Sequence, residues 1–382
     1  MKRILVLGGT GIIGTHLCRY ALEKNFHVWC LSRKGIFPIT HENLNIIKCD
    51  IGNPVALNKA FGGLIFDAVV DLLSFTAKQL NNTVDLFQKR MLQYLVISSA
   101  TVYKSAATGL ITEDAEYITD GWGYALNKIQ MEKALIKLAE HTPLTYTIIR
   151  PYITYSGKRL PAAEFELPDI YERIQTGRPL PIGDEILNAV TTVTHASDLA
   201  RGIVGLLGNE KAANTSFNIT SEDSHTWKEI LDEIGKNLGK TPVYAPVKTD
   251  TLRTCFPHLK GKIGDRLLTR RFDTKKIKQA VPDFACEYDM VKGFRDVFPT
   301  IAPRSDILTQ GILDYLSLKI DKKTYEPAIT AYVKSLQKNK GLKARLKYFI
   351  CFHQPIYKII KAMINLSLRI RNIKRSVVTP YR

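Results

Sequence analysis

The sequence predicts an α/β protein with a doubly wound parallel sheet, a smaller C-terminal α/β domain and a basic helical tail. Short apolar runs alternate with helical segments through the first half of the chain, which is typical of a parallel sheet covered by helices on both faces. A glycine-rich segment directly follows the first apolar run. The length of 382 residues favours about two domains.

The expected strands are short and almost entirely apolar, as buried parallel strands are. They lie at 4–7, 27–31, 45–47, 68–70, 94–97 and 146–149, and long helices are predicted at 11–24 and 123–140. After Arg150 the alternation fades and prolines become frequent. The predicted division is a first domain (1–155, rejoined by 190–220), a substrate domain (156–189 and 221–334) and a tail (335–382).

The distribution of charge and the spacing of the cysteines indicate what kind of protein this is. The formal net charge is +18, and the tail 335–382 holds twelve lysines and arginines and no acidic residue. The six cysteines are scattered without a CxxC pair, which predicts reduced thiols, no metal site and a cytoplasmic protein. The apolar run near the start is too short for a signal peptide, so a buried strand is expected there.

The glycine segment is the strongest functional motif. Three glycines at three-residue spacing lie between a predicted strand and a predicted helix. Such glycines allow a tight turn, and the helix N-terminus offers its N–H groups to a dinucleotide pyrophosphate, as in Rossmann-type domains. The residues predicted to bind NAD(P) here are Gly8, Thr10, Gly11, Ile12, Ile13 and Gly14.

The residues after the second and third strands bear on which dinucleotide binds. NAD-binding proteins commonly place an acidic residue after the second strand, on the ribose 2′-hydroxyl. This chain has Ser32 and Arg33 instead, a pair that suits a 2′-phosphate, so NADP(H) is expected in preference to NAD. Asp50 and Ile51 are placed to reach the adenine end, although Asp50 could equally cap a turn or a helix.

A candidate catalytic set follows the glycine motif. Tyr124 and Lys128 are four residues apart on a predicted helix and therefore lie on the same face. A nearby ammonium favours the phenolate and lowers the pKa of a tyrosine, which then serves as acid and base, while the lysine also holds the nicotinamide ribose. Ser99, at the carboxyl end of a neighbouring strand, is placed to hydrogen-bond the same substrate oxygen.

Together these motifs resemble the extended short-chain dehydrogenase/reductases of the epimerase/dehydratase family, over roughly residues 1–300. The matching segments are GGTGIIG at 8–14, SSATVY at 98–103, Glu113-Asp114, YALNK at 124–128, RPY at 150–152 and THASDLA at 194–200. The resemblance implies that Ser99, Tyr124 and Lys128 form the catalytic triad and that His195 and Asp198 are structural. It also implies a nucleotide-sugar substrate, and a homodimer is expected.

Departures from the family pattern limit the reactions that this chain is expected to catalyse. Ala100 and Thr101 stand where the 4,6-dehydratases keep an Asp-Glu pair, so dehydration is disfavoured. A 4-epimerase and a ketoreductase both stay open. Ile153 and Thr191 stand where an asparagine and an arginine commonly help to hold substrate phosphates. Cations that could substitute are Lys260, Lys262 and Arg266, unless they form a solvated basic loop.

The tail allows three interpretations. Over 342–373 apolar residues mix with lysine and arginine, and Ile356, Ile359, Ile360, Met363 and Ile364 share a helical stripe. A basic amphipathic helix of this kind could contact the inner face of a membrane, or pack on the enzyme or a dimer partner. Nucleic acid is less favoured, but an RNA- or partner-binding protein on a retained dehydrogenase fold is the alternative function.

Overall fold

The computed structural model describes residues 2–105, 109–301 and 306–352. Its strands are β1 Arg3–Leu7, β2 His27–Ser32, β3 Leu44–Lys48, β4 Phe66–Asp71, β5 Met91–Ile97, β6 Tyr146–Arg150, β7 Thr154–Tyr155, β8 Pro161–Ala162, β9 Phe165–Glu166, β10 Val190–Thr191, β11 Thr194–His195, β12 Thr215–Asn218 and β13 His225–Thr226. Its helices are α1 Ile12–Glu23, α2 Pro54–Phe61, α3 Ala77–Phe87, α4 Gly123–Ala139, α5 Leu167–Gln175, α6 Asp184–Asn188, α7 Ala196–Leu206, α8 Trp227–Asn237, α9 Thr249–Cys255, α10 Lys260–Arg266, α11 Lys275–Ala280, α12 Met290–Val297, α13 Ile307–Ile320 and α14 Lys322–Phe352.

The central sheet confirms the predicted fold class. Its seven strands run in the order β12-β6-β5-β4-β1-β2-β3, and every pair of neighbours is parallel. The chain order reverses between β1 and β4, and ligands of such sheets bind at the carboxyl ends of the strands beside this reversal. The glycine segment leaves β1 at that point.

Alternate residues of each strand pack into different cores, as the pleat requires. Ile4 and Val6 of β1 join a cluster with α1 and α7, while Leu5 and Leu7 join a second cluster that includes α3. All four of these β1 side chains are fully buried. The sheet is therefore covered on both faces at β1, which explains why this strand is apolar from Ile4 to Leu7.

The described residues divide into two compact units. One comprises 2–105, 109–164, 186–233 and 258–301, and the other comprises 165–185, 234–257 and 306–352. The predicted division instead placed 221–334 as a whole in the substrate domain. Residues 258–301 belong with the first unit because Ile111 pairs with Phe272 and the Arg270 guanidinium donates to the Tyr103 carbonyl at 2.7 Å. The substrate-binding role of the second unit stays a prediction.

Two buried arginines organise the second unit. Arg173 of α5 and Arg178 share the carboxylate of Asp314 in α13, at 2.8 and 2.9 Å, and all three side chains are fully buried. The Tyr348 hydroxyl of α14 donates to the same carboxylate at 2.8 Å. These contacts hold α13 and the last part of α14 against α5.

The tail is helical as far as it is described. α14 runs through 335–352, with a break at Gly341, whose φ is 75°. The predicted apolar stripe from Ile356 to Ile364 lies outside the described residues. Within the described part of the chain, no helix has the length and hydropathy needed to cross a bilayer.

Candidate active site

The glycine turn has the geometry that a dinucleotide site requires. Gly8 leaves β1 at a φ of 85°, a conformation that glycine adopts without strain. Its carbonyl accepts the N–H of Gly11 at 3.0 Å, and α1 begins at the next residue. A Cβ on Gly14 would lie 2.5 Å from the Gly8 oxygen and 2.6 Å from the Gly9 Cα. Close packing of α1 on β1 therefore requires glycine at 14, and it places the first N–H groups of α1 at the carboxyl edge of the sheet.

We expect Gly14→Ala to lower both stability and cofactor affinity. The added methyl meets rigid backbone, and overpacking of this kind costs about 1–3 kcal/mol. The matched control is Gly63→Ala, because a Cβ there meets nothing within 4 Å. Thermal unfolding and titration with NADH measure the two effects, and equal behaviour of the two variants would refute the close-packing argument.

The residues predicted to select the dinucleotide lie at the ends of β2 and β3. Ser32 is buried and Arg33 is exposed. Asp50 is exposed, and its carboxylate accepts the N–H of Gly52 at 2.8 Å, so Asp50 does cap a turn. Contact of these residues or of half-buried Ile51 with a cofactor stays a prediction.

One cavity of about 360 Å³ joins the catalytic candidates to the glycine turn. Ser99, Tyr124 and Lys128 line it together with Ile12 and Ile13 of α1. Its other lining residues are Leu72, Phe75, Ile97, Ser98, Thr101, Trp122, Pro151, Tyr152, Ile153, Thr154, Arg159 and Arg266. The wall thus carries three cationic side chains and no carboxylate among its described residues, which favours an anionic or neutral ligand.

Tyr124 lies in this cavity between aromatic rings and a hydroxyl. Burial raises the pKa of Tyr124, while its hydrogen bond with Ser99 and the charge of Arg159 lower it. The Trp122 ring centroid lies 4.9 Å from that of Tyr124. Ser99 is positioned in turn by the Thr101 hydroxyl, which donates to the Ser99 Oγ at 2.9 Å. The structure therefore brings Ser99 and Tyr124 together, and their catalytic role stays a prediction.

Lys128 is buried one helical turn after Tyr124. Its ammonium donates to the carbonyls of Ser74 and Ile97, at 2.7 and 2.6 Å, and lies 4.5 Å from the centre of the Phe75 ring. Burial lowers the pKa of Lys128 to about 8, against the opposing charges of Asp71 and Glu132. A lysine with a pKa near neutrality is typical of functional sites.

A buried carboxylate network that the sequence motifs did not predict lies one helical turn beyond Lys128 on α4, and its charge raises the pKa of that lysine. Glu132 is fully buried on α4 and pairs with Arg150 at 2.7 Å. It also accepts from the Tyr117 hydroxyl at 2.6 Å and from the Ser98 hydroxyl. Glu132 follows Lys128 by one helical turn. This spacing places Glu132 on the same inward face of α4, and it was the sequence feature from which a buried carboxylate could have been predicted.

The three predicted substrate cations have different positions. Arg266 lines the cavity, but it is buried and its guanidinium pairs with Asp265. Lys260 is exposed and Lys262 half-buried, and neither is among the residues that line the cavity. Arg159, which no sequence motif indicated, does line it.

Ile153 adopts a backbone conformation that is unusual for its residue type. Its φ is 37°, and a β-branched residue at positive φ is strained by about 1–3 kcal/mol. The Thr194 N–H donates to its carbonyl at 3.1 Å, which helps to hold the strained position. Asparagine, which the family that this sequence resembles commonly has at this position, tolerates positive φ. Ile153 instead presents an apolar surface to the cavity.

Lys158 is a second residue that the sequence motifs did not predict. Its ammonium donates to the Thr10 carbonyl and the Thr15 hydroxyl, both at 2.8 Å. These acceptors belong to the glycine turn and the first turn of α1. The lysine therefore adds a cation where a pyrophosphate is predicted to bind. It follows the Arg150-Pro151-Tyr152 motif closely, and only the fold brings it to α1.

His195 and Asp198, which the family resemblance implies to be structural, accept hydrogen bonds from backbone N–H groups. The His195 ring accepts the N–H of Ser197 at the start of α7, at 3.3 Å, and burial lowers the pKa of His195 to about 4. Asp198 accepts the N–H groups of Glu287 and Tyr288 at 2.9 and 3.1 Å. Both residues fix chain segments, and neither is among the residues that line the cavity.

Among the residues that the structure describes, no group of three or more His, Cys, Asp and Glu side chains could hold a metal ion. The cysteines at 18, 30, 49, 255 and 286 form no disulfide.

Comparison with known proteins places the chain among dinucleotide-dependent enzymes. The profile of the NAD dependent epimerase/dehydratase family matches residues 4–220. The UDP-glucose 4-epimerase of Vibrio cholerae is 26% identical over 306 residues, which cover 73% of this chain and 90% of that protein. The chloroplast stem-loop binding protein of 41 kDa b of Arabidopsis thaliana is 28% identical over 254 residues, covering 62% of this chain and 64% of that protein. The chain thus spans just under two thirds of the chloroplast protein.

Solved structures support the same fold. The dTDP-glucose 4,6-dehydratase of Bacillus anthracis, determined in complex with NAD, superposes with a TM-score of 0.63 at 19% identity. The superposition covers 78% of this chain and 96% of that one. At this level of identity the likeness concerns the fold alone.

Proposed function

Because the chain belongs to the NAD-dependent epimerase/dehydratase family of extended short-chain dehydrogenase/reductases, we propose that it oxidises and reduces a carbinol carbon of a sugar derivative. A nucleotide sugar is the substrate class that this proposal favours. The observation that carries it is the cavity in which Ser99, Tyr124 and Lys128 meet the first residues of α1.

The nicotinamide, when bound, supplies the hydride acceptor or donor. Tyr124 takes the proton of the substrate hydroxyl during oxidation and returns it during reduction. Ser99, held by Thr101, donates a hydrogen bond to the same substrate oxygen. Lys128 would hold the nicotinamide ribose, and its ammonium, which is charged below its pKa of about 8, favours the Tyr124 phenolate. The apolar side chains Phe75, Trp122 and Ile153 exclude water from the reacting carbon.

Dehydration is not proposed, because Ala100 and Thr101 offer no carboxyl group to protonate a leaving hydroxyl. The remaining choice is between epimerase and reductase. An epimerase would convert a nucleotide sugar with no net change in reduced cofactor, whereas a reductase would consume one reduced cofactor for each product. Chromatography of the sugar product, together with the near-ultraviolet absorbance of the nicotinamide, separates the two reactions.

The family uses NAD, and the comparisons give no support to the preference for NADP(H) inferred from Ser32 and Arg33. We propose that preference still, because exposed Arg33 follows buried Ser32 at the end of β2. Arg33→Ala is then expected to weaken NADPH binding by about tenfold or more, because it removes a charge-assisted contact to phosphate, and to leave NADH binding unchanged. Equal effects on the two cofactors would contradict the preference.

We also propose that Lys158 binds the cofactor pyrophosphate. Its ammonium would give up the hydrogen bond to the Thr10 carbonyl and donate to a phosphate oxygen instead. Lys158→Met should raise the dissociation constants of NADH and ADP by about tenfold, since a charged hydrogen bond contributes about 1.5–3 kcal/mol. Adenosine binding should be unchanged, which separates loss of a phosphate contact from collapse of the turn. Lys137→Met, an exposed change on α4, is the charge-matched control. Equal losses for ADP and adenosine would show that Lys158 only supports the turn.

The second candidate function is RNA binding on a retained dehydrogenase fold. The similarity to the chloroplast stem-loop binding protein favours it. Its signature would be binding of a structured RNA by a protein that shows no oxidoreductase activity toward nucleotide sugars. The assembled Ser99, Tyr124 and Lys128 argue for the enzyme.

A further inference from the structure

The last part of α14 is anchored on one face and apolar on the other. After Gly341, the helix buries Ala344 and Tyr348 in a small core with Tyr332 and Leu336. Leu342, Leu346 and Phe349 are spaced to share the opposite face, and they are 74%, 59% and 52% exposed. Exposed large apolar side chains in a row mark an interaction site more often than scattered ones do.

Cations flank this apolar row. Lys343, Arg345 and Lys347 are exposed beside it, and the twelve basic residues of 335–382 have no acidic residue among them. A helix with apolar residues on one face and lysine and arginine around it has the composition of helices that lie in the plane of a membrane surface. An anionic lipid surface complements both features at once, because each basic residue near it contributes about 1 kcal/mol.

We propose that the exposed face of 342–352 docks the enzyme on an anionic lipid bilayer, with Leu342 and Leu346 in the headgroup–acyl boundary and Lys343 and Lys347 against the phosphates. RNA fits this face less well, since its most exposed apolar residues are aliphatic and cannot stack on bases. A second copy of the chain fits less well too, because a two-fold contact between two such faces would bring the lysines and arginines of both copies close together, and like charges repel.

The test uses the full-length protein with sedimenting vesicles of phosphatidylcholine, with and without phosphatidylglycerol. Wild type should bind the anionic vesicles, more weakly as salt rises, and bind the neutral ones poorly. Leu342→Ser/Leu346→Ser should lower the partition coefficient by about tenfold or more. Leu308→Ser changes a leucine that is 39% exposed on α13, and this control should leave the partition coefficient unchanged.

Lys343→Gln/Lys347→Gln should lower binding to anionic vesicles by about tenfold or more.

Two results would overturn the proposal. One is absence of binding to anionic vesicles, and the other is binding that neither double variant reduces. In the first case, a dimer that becomes monomeric in Leu342→Ser/Leu346→Ser would identify a second copy as the occupant of this face, and RNA binding that is lost in Lys343→Gln/Lys347→Gln would identify RNA. Because the serine positions are exposed, unchanged thermal unfolding of that variant is expected and excludes misfolding as the cause. The oxidoreductase assay is separate, so failure of this proposal leaves the proposed function standing.

Discussion

Replacing Tyr124 with phenylalanine is expected to lower turnover by about 10²–10⁴-fold, which is the usual contribution of a positioned acid–base group. The variant loses only the hydroxyl that exchanges a proton with the substrate. Its ring keeps the contacts with Trp122 and Phe75. Cofactor binding should therefore stay as in wild type.

Single-turnover rates and NADH titration measure the two halves of this prediction. Tyr325→Phe is the matched control, since the Tyr325 hydroxyl donates to a backbone carbonyl in the second unit. Normal turnover in Tyr124→Phe would exclude Tyr124 as the acid–base group. Loss of NADH binding together with turnover would mean that the residue shapes the cofactor site and does not act on the proton.

Glu132→Ala is expected to destabilise the first unit by about 3–5 kcal/mol, because it leaves the Arg150 charge buried and unpaired. The hydroxyls of Ser98 and Tyr117 lose their acceptor in the same change. The variant should also lower the pKa of Lys128 further, since the charge of Glu132 opposes the effect of burial on that pKa.

Urea unfolding, followed by a spectroscopic probe in the first unit, measures the loss in the free energy of unfolding. Glu140→Ala, at the exposed end of the same helix, should change the free energy of unfolding by less than about 0.5 kcal/mol. The double variant Glu132→Leu/Arg150→Met should recover part of the loss, because apolar replacement of a buried pair is often tolerated. A Glu132→Ala variant as stable as Glu140→Ala would show that the pair does not support the site.

The residues predicted from sequence are those that strand ends and helix faces bring together. Ser99 follows β5, Gly8 follows β1, and parallel strands deliver both to one edge of the sheet. Tyr124 and Lys128 share a face of α4 because of their spacing. Local sequence patterns are therefore sufficient to predict most of the candidate site.

Contacts between segments distant in sequence could not be predicted in this way. Lys158 reaches Thr10 across the fold, and the Tyr152 hydroxyl donates to Asp265, the partner of Arg266, at 3.0 Å. Lys260 and Lys262 are equivalent to Arg266 as a sequence pattern, but they lie in the first turn of α10 and do not line the cavity. The strand β12 was missed because its sequence, TSFN, is too polar to stand out, although it pairs with β6 at the edge of the sheet.

In the proposed reaction, hydride passes between the nicotinamide and the carbinol carbon of a sugar bound in this cavity. Its most direct test is the near-ultraviolet absorbance of the reduced nicotinamide after the protein, with NAD or NADP, is mixed rapidly with a panel of nucleotide sugars. At least one sugar should produce the absorbance band, transiently or lastingly, in wild type, and none should do so in Tyr124→Phe. A wild-type protein that binds the cofactor and produces no band with any sugar, or a variant that produces it equally, would contradict the claim.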